Sequence, residues 1–95
     1  MSEIDFEAIG RCEHLKTEIS RAIQSRHSAY SRLTTAYKGD GSGHVYNSIT
    51  EIDTEKMQKA LDELKNYEAS VHELVREYNL WAAKASKQTL NFTKF

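Results

Sequence analysis

The chain has no proline, and three of its four glycines crowd into one pentapeptide, Gly39-Asp40-Gly41-Ser42-Gly43. Proline and glycine end helices and turn strands, so their scarcity excludes folds that rely on many short strands and turns. The single cysteine, Cys12, excludes an internal disulfide and fits a reducing compartment. No apolar run approaches the roughly 20 residues that span a bilayer. The start, Met1-Ser2-Glu3-Ile4-Asp5, is acidic and lacks the basic and apolar segments of a signal peptide. These absences predict a soluble, cytoplasmic protein with no membrane partner. A formal charge of −1 gives no whole-chain case for attraction to nucleic acid.

What the sequence does contain is helical periodicity. From Asp53 to Ser86, apolar residues recur at alternating spacings of three and four: Met57, Ala60, Leu64, Tyr67, Val71, Leu74, Tyr78, Trp81 and Ala85. A row one place along adds Leu61, Val75 and Ala82, interrupted by Glu68. This is a helix with one broad apolar stripe. Asp53 is its expected N-cap, with Ile52 and Met57 placed to form a hydrophobic staple.

The same opening occurs earlier in the chain. Glu3-Ile4-Asp5-Phe6-Glu7 parallels Glu51-Ile52-Asp53-Thr54-Glu55, so a first helix is expected to begin at Asp5, with Ile4 and Ile9 as its staple. Its seam is expected to run through Ile9, Cys12, Lys16, Ile19, Ile23, Arg26, Tyr30, Leu33 and Tyr37. Beside it lies a row of mostly small residues, Ala8, Leu15, Ala22, Ala29 and Ala36, along which another helix could approach closely. Lys38 followed by Gly39 marks the end. The expected architecture is all-α: an antiparallel hairpin of helices at 5–38 and 53–86, a connecting loop at 39–52 and a short apolar tail at 87–95, all in one domain. Within the loop, residues 44–50 suit either a brief extended segment or an early helical turn capped by Ser48 and Glu51.

Two helices alone leave part of the second stripe uncovered, and Tyr67, Tyr78 and Trp81 are expected to stay largely wet. A symmetric dimer forming a four-helix bundle would cover them, with Leu64, Tyr67, Val71, Leu74, Tyr78 and Trp81 at the oligomer interface. Tyr46, Leu90, Phe92 and Phe95 lie outside the seams and are the candidates for contact with a protein partner. Lys16 and Arg26 at seam positions either extend their heads to water or pair with Glu68 and set register.

The search for chemistry is unproductive. His14, His27, His44 and His72 fall in no metal-ligand spacing. There is no glycine-flanked serine elbow, and Cys12 sits in a seam, where a thiol serves as packing. The glycine-rich pentapeptide lacks the Gly-Lys-Ser/Thr of a phosphate loop. Neither catalytic residues nor a cofactor or metal is expected. A basic first helix (Arg11, Lys16, Arg21, Arg26, Arg32 and Lys38) offers a nucleic-acid alternative, but its arginines do not share one narrow face. The leading expectation is a non-enzymatic interaction module: a homodimeric adaptor, inhibitor or regulator of a larger protein. Short, proline-free chains of this texture are common among accessory proteins of phages and mobile elements.

The plan of two equal helices resembles the small secreted hairpins named for a Trp-X-Gly turn. The resemblance is one of architecture. The turn, Gly39-Asp40-Gly41-Ser42-Gly43, carries no tryptophan; Trp81 lies far along the second helix; and neither Tyr67 nor Tyr78 has an acid four residues on. It implies, as a third alternative, an exported helical hairpin.

Overall fold

The computed structural model describes residues 4–38, 44–45, 48–49 and 51–94. Helix α1 spans Phe6–Lys38 and helix α2 spans Thr54–Lys84. Between them, β1 (His44–Val45) and β2 (Ser48–Ile49) pair antiparallel, with His44 opposite Ile49 and Val45 opposite Ser48. His44–Val45 and Ser48–Ile49 are thus extended, and the N-cap of α2 is Asp53; residues 46, 47 and 50 of the segment lie outside the described residues.

Both helices begin as their sequences dictate. The Asp5 carboxylate accepts a hydrogen bond from the Ala8 amide at 2.9 Å, and the Asp53 carboxylate accepts one from the Lys56 amide at 2.9 Å. Each cap satisfies an amide that has no carbonyl partner in the first turn, and Glu7 and Glu55 add negative charge where the helix dipole favours it. The apolar halves of the staples bury little, since Ile4 is 66% exposed and Ile52 44%.

α2 closes two residues earlier than expected. Ala85 is the C-cap, and Ser86 follows with φ of 57°, in the left-handed region. The Lys87 amide then donates back to the Ala82 carbonyl at 2.9 Å, a hydrogen bond of the Schellman type. Glycine normally takes this position, because a side chain there costs about 1–2 kcal/mol. Here the turn redirects the tail back along the hairpin.

The two helices pack against each other, and their polar contacts set the direction. Arg26 on α1 meets Glu68 on α2 at 3.1 Å, and Arg32 meets Glu63 at 2.6 Å. As one number rises the other falls, so the hairpin is antiparallel. A step of seven residues from the Arg26–Glu68 pair brings Ile19 level with Val75, and another brings Cys12 level with Ala82. All four lie in the core, with Leu15, Val71 and Tyr78.

This core corrects the expected seam of α1. The buried line is Ala8, Cys12, Leu15, Ile19 and Ala29, with Ala22 packed against it. It takes Cys12 and Ile19 from the expected seam and the rest from the small-residue row. The row Ile9, Lys16, Ile23 and Tyr30 lies outside, with Ile23 41% and Tyr30 52% exposed. The reason is steric. A helix packs closer over alanines than over isoleucine and tyrosine, so the small row faces α2.

A second correction concerns the aromatic residues of α2. Tyr78 is only 2% exposed and Val71 is also buried, both within the single hairpin. Tyr67 and Trp81 are half-buried rather than wet.

Candidate interaction surface

Three features of the hairpin surface carry chemistry. The first is Trp81. The Arg11 guanidinium and the Lys84 ammonium each lie 4.7 Å from its ring centroid. Cations over an indole face gain about 0.5–1 kcal/mol each at exposed sites, and their stems shield the ring from water. Trp81 is half-buried, packed against the core cluster on one side and flanked by these two cations.

The second is the docked tail. The Leu90 amide donates to the Asn79 side-chain oxygen at 2.8 Å, and the Asn79 amide donates to the Leu90 carbonyl at 3.0 Å. One side chain thereby binds both polar groups of one tail residue, as a neighbouring strand would. Leu90 packs against the core cluster. Two residues on, Phe92 stacks on His72 with ring centroids 3.9 Å apart and planes 16° from parallel. His72 Nε2 also lies 3.3 Å from Glu68 Oε1. A groove of about 820 Å³ runs between the tail and the helices, lined by Ile19, Ile23, Val71, Val75, Leu90 and Phe92 among others.

The third is the charge on α1. Arg11 pairs with Glu7 at 3.3 Å, Arg21 with Glu18 at 3.1 Å, Arg26 with Glu68 and Arg32 with Glu63. Every arginine of this helix thus faces a carboxylate. Pairs this exposed contribute about 0.2–1 kcal/mol each, but they neutralise the field that would attract phosphates. Of the two seam cations, Arg26 meets Glu68, whereas Lys16 is exposed.

The structure brings the expected interface residues onto one helix but not onto one free face. Val71 and Tyr78 are internal, whereas Leu64, Tyr67, Leu74 and Trp81 are half-buried along a flank of α2. Among the expected partner-contact residues, Leu90 is partly buried against the core and Phe92 is 47% exposed at the edge of the groove. Tyr46 and Phe95 lie outside the described residues. Sequence reasoning missed Asn79 and His72 as the tail's docking residues. Their signal was weak: two polar residues seven apart on one flank of α2, ahead of an apolar tail.

Among the described residues, no three His, Cys, Asp or Glu side chains come together as a metal site, and no helix is long and apolar enough to cross a membrane. Cys12 is buried. Comparisons with protein-family models, curated proteins and solved structures return no match.

The dominant physical property is surface. The chain exposes 7797 Å², whereas a compact monomer of its 10.9 kDa exposes roughly 5,600 Å². Its radius of gyration is 19.8 Å against about 12 Å for a globular chain of this length, and it measures 76 × 22 × 14 Å.

Proposed function

We propose that this protein is a non-enzymatic protein-interaction module: a helical hairpin that assembles as a homodimeric four-helix bundle and acts as an adaptor, inhibitor or regulator of a larger protein. The observation that carries this reading is the excess surface. The chain exposes about 2,200 Å² more than a compact monomer of its mass, against the ~800 Å² per partner that a standard interface buries. A hairpin with so little core gains stability by association, and its exposed apolar side chains include Ile23, Tyr30, Leu80 and Phe92.

The nucleic-acid alternative has less support, because the arginines it relies on face carboxylates within the same chain.

Thermal unfolding across a hundredfold range of concentration tests the associative part. A dimer that dissociates as it unfolds melts higher at higher concentration, by mass action. A melting temperature independent of concentration contradicts a dimer coupled to folding.

A further inference from the structure

We infer that the groove flanked by Asn79 and His72 of α2 is a capture site for a segment of a partner protein bearing leucine and, two residues on, phenylalanine, and that the chain's own tail fills this site until such a segment displaces it. The inference rests on the reading of this protein as an interaction module for a larger protein, and it names the surface and the motif recognised.

The seated tail shows what the site binds. The Leu90 amide donates to the Asn79 side-chain oxygen at 2.8 Å, and the Asn79 side-chain amide donates to the Leu90 carbonyl at 3.0 Å. Both tail groups are backbone, so this contact accepts any non-proline residue, as a sheet edge accepts an added strand. Selectivity is left to the side chains. Leu90 packs on the core cluster, and Phe92 lies on the His72 ring with centroids 3.9 Å apart. Residues i and i+2 of an extended chain point to one side, so the site reads Leu-x-Phe, with Asn79 fixing the register.

The tail occupies the site without filling it. Of residues 86–94 only Leu90 is not exposed, and Phe92 remains 47% exposed. Beyond the Lys87 amide, none of the described tail residues makes a hydrogen bond to another backbone group. The hinge is Ser86, in the left-handed region that disfavours a side chain. About 820 Å³ of the groove stays open beside the tail, against Ile19, Ile23 and Val75. A short link gives the tail an effective concentration of order millimolar. A partner segment therefore displaces it by adding apolar contacts along that open wall, where the tail makes few.

The probe is a fluorescein-labelled synthetic peptide of residues 87–94. The receptor is the full chain carrying Leu90→Asp and Phe92→Asp, which unseats the tail and keeps Asn79 and His72; circular dichroism verifies its helices. By fluorescence anisotropy the peptide is expected to bind this variant saturably, and the wild type at least about tenfold more weakly, because the tail competes in cis. Adding Asn79→Ala to the variant is expected to weaken binding at least about tenfold, and adding Leu80→Ala to leave it unchanged. Phe92→Asp alone is a second receptor, expected to bind the peptide more tightly than the wild type does. No binding to either variant up to about 1 mM overturns the site, as does binding that Asn79→Ala leaves unchanged. Either result leaves the homodimer reading standing, because concentration-dependent melting tests it separately. A melting temperature independent of concentration contradicts that dimer and leaves this site standing.

Discussion

Tyr78 is the largest side chain in the core, and its burial within one hairpin decides how the monomer holds together. Truncating a buried aromatic leaves a cavity in addition to the lost transfer energy, about 3–5 kcal/mol together. Leu80, two residues on, is 67% exposed and points away. Tyr78→Ala is therefore expected to lose about 3–5 kcal/mol in urea unfolding, and Leu80→Ala less than about 0.5. Equal costs for the two would contradict the observed packing. The identity of Tyr78 as an apolar-stripe residue was legible from its spacing with Val71 and Leu74. Its depth was not, because spacing gives the direction of a side chain and not what covers it. The Arg26–Glu68 pair was legible as one alternative, since opposite charges at seam positions of two antiparallel helices have few other partners. Ser86 was not, because a left-handed serine has no sequence signature comparable to glycine.

At the scale of elements, the helix ends were the most readable features. The motif Ile-Asp-x-Glu occurs twice, and in both copies the aspartate caps the helix through the amide three residues on. The facing of α1 was read in part: Cys12 and Ile19 of the expected seam are in the core, and the rest of the buried line comes from the small-residue row beside it. Its two candidate rows lie one residue apart, and hydrophobicity favoured the row with Ile9, Ile23 and Tyr30. Packing favoured the alanines, because the closeness of approach between helices depends on small side chains. The same displacement leaves Ile23 and Tyr30 free on the outside. The docked tail was equally hidden, because the Schellman turn and two hydrogen bonds from one asparagine place it where no periodicity points. Asn79→Ala removes both hydrogen bonds to Leu90 and is expected to release residues 87–94. Limited trypsin digestion at Lys87 measures this: cleavage is expected to accelerate several-fold in the variant, with α1 and α2 still helical. Unchanged cleavage would mean that the Phe92–His72 stack and Leu90 packing hold the tail without Asn79.

At the scale of the whole molecule, shape outweighs any single residue. A pair of helices each about 50 Å long meets along one line and leaves most of its circumference in water. The charged residues suit that exposure, and the four arginine–glutamate pairs of α1 hold its net field low. The exposed apolar side chains of Ile23, Tyr30, Leu80 and Phe92 suit it less. The homodimer proposed above would cover part of this surface. Sedimentation equilibrium at micromolar concentration measures this directly. The expected result is a species of twice the 10.9 kDa chain mass that dissociates on dilution. A single species of 10.9 kDa at every concentration would contradict it.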